Sequence, residues 1–135
     1  MGQRTRGRKF LLQCRYAAQA NGLSLLENME NMSASERVRD PETRIWIKEL
    51  GSTAEKNLTE IRGRIEPALE NWSMERLTTI TRLILEQAIA ETCYMDIPAA
   101  VAVKEAVLLA QEFEDPKTGS FVNGVLDRIL FKKQE

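Results

Sequence analysis

At 135 residues the chain can build one domain with a core of its own but not two independent ones, so a single domain over residues 1–135 is expected. Its 43% hydrophobic and 29% charged residues describe an ordinary soluble globule, no apolar run approaches the roughly eighteen residues of a membrane span, and the absence of histidine excludes histidine-ligated zinc and histidine-based catalysis. The net charge of −1 hides a polarity: up to Leu26 there are five bases, Arg4, Arg6, Arg8, Lys9 and Arg15, and no acid, so the remainder holds 14 bases against all 20 acids and carries −6. Any nucleic-acid contact is therefore expected to concentrate at the amino end.

The first helix is predicted over Gln3 to Ala20. At about 100° per residue, Arg4, Arg8 and Arg15 fall within roughly 40° of one another, and Phe10, Leu11, Cys14, Ala17 and Ala18 fill the adjoining sector. Arg6, Lys9 and Tyr16 lie on the other side of that apolar stripe, so cations flank the face that packs. The plain alternative is a solvated basic helix end. Met1 to Arg8 is polar and Phe10 to Leu12 is too short for the core of a secretory signal, which predicts a cytoplasmic protein.

After Asn21-Gly22 a short helix over Leu23 to Met32 leads into a polar loop through Ser33, Ser35 and Arg39. Asp40-Pro41-Glu42 opens the next helix with an N-cap acid, a proline in the first turn and a second acid near the positive end of the dipole. Ile45, Trp46, Leu50, Ala54, Leu58, Ile61 and Ile65 continue an apolar stripe from there, in which Trp46 reads as core rather than as a platform for a base. Glu66-Pro67 starts a final turn, and Leu69-Glu70-Asn71-Trp72 leads to Ser73, the expected N-cap of a helix carrying Leu77, Ile80, Ile84, Ala88 and Cys93. Asp96-Ile97-Pro98 ends that helix and starts another. Its Val101, Val103, Val107, Leu108, Ala110 and Phe113 are apolar on most sides, which predicts a central, heavily buried helix.

The last helix is expected from about Ser120, after a loop Asp115-Pro116-Lys117-Thr118-Gly119. Within it, Asn123-Gly124 sits inside the apolar repeat Phe121, Val122, Val125, Leu126, Ile129, Leu130, where a glycine costs roughly 1 kcal/mol relative to alanine. Its expected benefit is close approach of another backbone, with the Asn123 amide pinning the helix to the preceding loop. Nothing reads as strand, so the fold class is all-α. Cys14 and Cys93, on apolar faces far apart in sequence, read as free buried thiols, and Glu91, Glu105 and Asp127 as caps, salt bridges or surface groups rather than an acid–base set. No cofactor or metal is expected.

Several blocks, taken in order, resemble the NusB (N-utilisation substance B) family of bacterial antitermination factors. They are the arginine-rich start with Gln13-Cys14-Arg15-Tyr16, then Leu69-Glu70-Asn71-Trp72-Ser73-Met74-Glu75-Arg76-Leu77, then Ile97-Pro98 with Val101-Ala102-Val103-Lys104-Glu105-Ala106-Val107, and finally Phe121-Val122-Asn123-Gly124-Val125-Leu126-Asp127. The resemblance implies a compact single domain of two small helical bundles, with no enzymatic activity. It also implies a heterodimer with the small-subunit ribosomal protein NusE, recognition of the single-stranded boxA element of nascent RNA, and action with other Nus factors on RNA polymerase. Homodimers that mask the RNA surface occur among such proteins, and the oligomeric state stays open.

The residues supply a matching mechanism. Arg4, Arg6, Arg8, Lys9 and Arg15 offer phosphate contacts at a helix amino end, and Tyr16 and Phe121 offer faces for unstacked bases, with Lys117 adding charge beside Phe121. The spacing of Phe121 fits the buried face of its helix equally well. Thr81, Arg82 and Glu86 follow Asn71-Trp72 on the helix associated with partner docking. There the chain departs from the family's habit: Thr81 replaces an acid, Glu86 a base, Ala90 a large aromatic and, further on, Lys104 an asparagine. Two rival functions remain at this stage, a pure helical adaptor with little RNA affinity and a domain of the kind attached to RNA methyltransferases. The second lacks any room for a catalytic domain.

Overall fold

Seven α-helices and one short 3-10 turn follow one another in the computed structural model, which describes residues 2–32 and 38–131; no strand occurs among the described residues. The expected loop positions Ser33 and Ser35 lie outside them. The chain divides into two compact units, Met1–Ser52 and Thr53–Glu135, with the division falling inside the third helix. No described helix is long and apolar enough to cross a membrane.

In the first unit, α1 spans Gln3–Asn21 and stops at Gly22, whose φ of 74° is a left-handed conformation that suits glycine. A capping box starts α2 (Leu25–Asn31): the Ser24 hydroxyl accepts from the Glu27 backbone N–H at 3.0 Å, and the Glu27 carboxylate accepts from the Ser24 N–H at 2.9 Å. The buried Asn28 amide donates back to the Ser24 carbonyl and pairs with Asn21, tying the end of α1 to α2. The third helix, α3 (Pro41–Lys56), opens as the sequence predicts, with the Asp40 carboxylate accepting from the N–H and hydroxyl of Thr43 at 2.9 and 2.7 Å. Phe10, Leu11, Leu12, Cys14, Leu25, Met29, Trp46, Ile47 and Leu50 are buried in this unit, each large aliphatic side chain contributing roughly 1.5–3 kcal/mol. Ile45 departs from the expected stripe and is 67% exposed, because it precedes the buried Trp46-Ile47 pair on the opposite side of the helix.

The second unit begins in the last turn of α3. The predicted stripe runs on through the buried Ala54, Ile61 and Ile65, but the helix is interrupted at Asn57, whose side chain donates to the Thr53 carbonyl at 2.9 Å, and α4 (Leu58–Ala68) starts anew. Ser73 precedes the 3-10 turn Met74–Arg76 rather than a helix; α5 (Thr79–Tyr94) starts later, capped by the Thr78 hydroxyl on the Thr81 N–H. Then come α6 (Ala99–Phe113) and α7 (Pro116–Leu130), and α6 packs on α5 and α7 while α4 packs on α5 and α7. The most enclosed helix is α5, where every residue from Leu83 to Glu91 is buried, whereas the expected central helix α6 leaves Val101 and Leu108 exposed. Its apolar surplus misled the periodicity reading, and its buried face is limited to Ala102, Val103, Ala106, Leu109 and Ala110.

The stretch expected to be a loop before α7 is its first turn. Asp115 caps it by accepting from the Thr118 N–H at 2.7 Å, and Pro116 follows the cap, where its missing N–H is harmless. Asn123 therefore lies two turns into the helix and is exposed, too far along to pin the helix start. Gly124 also departs from expectation: a Cβ there would meet only an Arg128 guanidinium nitrogen at 3.7 Å, an ordinary contact. Close approach occurs instead at Gly7, where a Cβ would lie 2.9 Å from the Cγ2 atoms of both Thr43 and Ile47.

Candidate functional site

The predicted arginine edge of α1 is split by packing. Arg4 and Arg6 are exposed and Lys9 is partly so, but Arg8 and Arg15 are only 4% and 5% exposed. The cause lies one residue away. Gly7 lets the methyl groups of Thr43 and Ile47 in α3 seat against α1, which carries Arg8 across the Trp46 ring with its guanidinium carbon 5.0 Å from the ring centroid. The Arg4 guanidinium lies over the same ring at 4.4 Å while its side chain remains accessible. Arg8 and Arg15 therefore belong to the buried face, not beside it as the helical wheel placed them, and of the expected phosphate ligands Arg4, Arg6 and Lys9 keep access to solvent. Tyr16, 47% exposed, keeps an accessible ring as expected of a stacking face. Trp46 is core, as expected.

In the second unit, Phe121 and Lys117 line a groove of about 450 Å³ together with Trp72, Arg76, Leu77, Thr78, Thr81 and Thr118. Phe121 is half-buried, between the two readings left open for it: its ring meets Trp72 edge to face, with centroids 6.1 Å apart and planes at 66°. The Arg76 guanidinium carbon sits 4.9 Å from the Trp72 centroid. Sequence reasoning missed Trp72 and Arg76 as site residues. The available signal was a tryptophan set among polar neighbours, Asn71 and Ser73, off any apolar stripe.

Thr81 and Glu86, expected to face a partner, are buried at 4% and 0% exposure. One oxygen of Glu86 accepts from Arg62 Nε and from an Arg82 guanidinium nitrogen, both at 2.9 Å, so the carboxylate replaces its lost water with two charge-assisted hydrogen bonds. Thr81 is likewise occupied, its N–H donating to the Thr78 hydroxyl. Glu86 cannot present its side chain to a docking protein, Thr81 reaches the surface only where it lines the groove, and Arg82, with 17% of its side chain exposed, keeps limited access. No group of acids and cysteines suited to a metal ion occurs among the described residues, and both cysteines are free thiols, Cys14 buried and Cys93 partly so. Of the three carboxylates read as caps, bridges or surface groups, Asp127 is exposed, Glu105 intermediate and Glu91 buried.

These features define an all-helical protein, over the described residues, in which each unit sets an exposed cation against an aromatic ring. The chain belongs to the NusB family, whose family model matches residues 5–131. It is 35% identical over 133 residues to the transcription antitermination protein NusB of Myxococcus xanthus (strain DK1622), covering 96% of this chain and 95% of that one. The fold matches T. maritima NusB with a TM-score of 0.82 at 25% identity, over 96% of this chain and 90% of that chain. It also matches a crystal structure of the antitermination factors NusB and NusE in complex with double-stranded RNA, with a TM-score of 0.79 at 26% identity, over 94% of this chain and 93% of that chain.

Proposed function

We propose that this chain is a transcription antitermination factor that binds RNA together with the ribosomal protein NusE. Its target in this reading is the single-stranded boxA element of nascent ribosomal RNA, and with other Nus factors it helps RNA polymerase resist termination. The observation that carries the reading is the groove of the second unit, where an exposed indole, a phenyl ring, an arginine and a lysine line one cleft. Single-stranded RNA is held in this way, by unstacked bases on aromatic faces and phosphates on cations. In the first unit, Arg4, Arg6 and Lys9 at the start of α1 supply phosphate contacts, and Tyr16 a further face.

A second reading, a helical adaptor with weak RNA affinity of its own, draws on the burial of Arg8 and Arg15, which removes two of five expected cations from the surface. Affinity for boxA RNA, measured with and without NusE across a salt series, separates the two. The antitermination reading expects affinity that falls with salt and is strengthened by NusE, with a slope of magnitude about 0.7 per phosphate contact. NusE binding without RNA binding by either the chain or the pair leaves the adaptor.

A further inference from the structure

Trp72 is 47% exposed and borders the groove that also holds Phe121, Arg76 and Lys117, so aromatic and cationic groups converge on one open cleft. Its turn is firmly built. Glu70, two residues earlier, has a φ of 60°, a left-handed conformation that a non-glycine residue keeps only where its surroundings hold it. The Trp72 N–H donates to the Leu69 carbonyl at 3.3 Å. From α7, Arg128 Nε donates to the Ala68 carbonyl at 2.9 Å and lies 3.7 Å from a Glu70 carboxylate oxygen. The helix that carries Phe121 thus also holds the turn that carries Trp72, and the two ring centroids lie 6.1 Å apart.

Among the described residues, the cleft they border is lined by Arg76 and Lys117 and by no acid. Of the acids nearby, Glu114 accepts from the Thr78 hydroxyl at 3.0 Å and Asp115 from the Thr118 N–H at 2.7 Å, while Glu75 adjoins Arg76 in sequence and Glu70 lies 3.7 Å from Arg128. Aromatic walls with cations among them complement a planar base flanked by phosphates better than they complement an apolar side chain, which has no use for the charge. We propose that the cleft bordered by Trp72 and Phe121, whose rings touch edge to face, is a slot that takes one unstacked base of single-stranded RNA against their open ring surface, with Arg76 and Lys117 meeting the adjoining phosphates. The slot rests on the RNA-binding reading above and adds to it a second aromatic wall, a cation pair and the clamp that holds them.

The test uses the full chain with NusE and a single-stranded boxA oligonucleotide. Trp72→Ala is expected to weaken RNA binding about ten-fold or more with an unchanged salt slope, and Trp72→Phe to retain binding within about three-fold. Arg76→Ala and Lys117→Ala are expected each to lower the salt slope by about 0.7. In a Trp46→Phe background, RNA should quench the remaining Trp72 fluorescence, a response that a purely structural indole would not give. If the unaltered pair binds the RNA but Trp72→Ala, folded by circular dichroism, binds it equally well, the slot is wrong while the RNA-binding reading stands. If Trp72→Ala loses NusE and keeps RNA, the cleft is a protein-docking surface and the proposal is overturned. Failure of the unaltered pair to bind any RNA overturns the functional reading and the slot with it.

Discussion

The two units treat their arginines in opposite ways. In the first, Arg8 is drawn into the packed interior over Trp46, and a tryptophan that could have faced solvent becomes the floor of a cation stack. In the second, Arg62 and Arg82 converge on a single buried carboxylate, Glu86, while Arg76 lies on an indole that stays accessible. A cation near an aromatic ring is therefore not by itself a binding site. What separates the two cases is which partner is buried: Trp46 at 7% exposure is structure, and Trp72 at 47% is surface.

The sharpest way to break this contrast is at Glu86. Glu86→Ala removes the buried carboxylate on which Arg62 and Arg82 converge, and breaking a buried ion pair by removing one partner is strongly destabilising; with Arg62 already 41% exposed and screened, a loss of about 3 kcal/mol is expected by chemical denaturation. Unchanged stability would show that the carboxylate is not the organising charge of the second unit.

A smaller effect is expected from comparing neighbours on α1. Arg8→Ala should cost about 2 kcal/mol through lost packing on Trp46, while the exposed Arg6→Ala should stay within about 0.5 kcal/mol and instead lower the salt slope of RNA binding by about 0.7. Equal thermal shifts in the two variants would dissolve the distinction between packing and surface arginines.

Glycine substitutions sharpen the same point at backbone level. Gly7→Ala forces a methyl group against Thr43 and Ile47, with an expected loss of about 1 to 3 kcal/mol. Gly124→Ala has room and should raise stability by up to about 1 kcal/mol, since glycine is the poorer helix former. The melting temperatures of the two proteins should move in opposite directions.

The smallest effect is shared by both units. Asp115 is held below the ordinary carboxylate range by the Thr118 N–H and then its side chain, Asp40 by the Thr43 hydroxyl and then its N–H, and Glu27 by the Ser24 N–H and then its side chain. Each folded value is depressed, so the capping contribution is complete above the unfolded carboxylate range and disappears as pH falls through the lower folded values. Amide protection factors in the first turns of α2, α3 and α7, corrected for the intrinsic pH dependence of exchange, should fall over that acid range and stay constant near neutrality.

The sequence by itself determined the all-helical class, the caps at Asp40 and the start of α6 at Pro98, the free thiols and the candidacy of Lys117 and Phe121. These follow from local chemistry: a carboxylate that accepts from an N–H three residues on, a proline that cannot continue a helix, a periodic apolar face. Tertiary structure alone decided which of several equivalent residues would be buried. A helical wheel cannot tell Arg8 from Arg4, because the difference is made by α3 seating on Gly7. It cannot foresee that Glu86 will be enclosed by an arginine twenty-four residues earlier, or that α5 rather than the more apolar α6 will be the enclosed helix. Nor could it join Trp72 to Phe121, since the clamp from Arg128 to Ala68 spans sixty residues and exists only once α7 has packed. Burial and long-range pairing are properties of neighbours brought together by the fold, and periodicity within one helix carries no record of them.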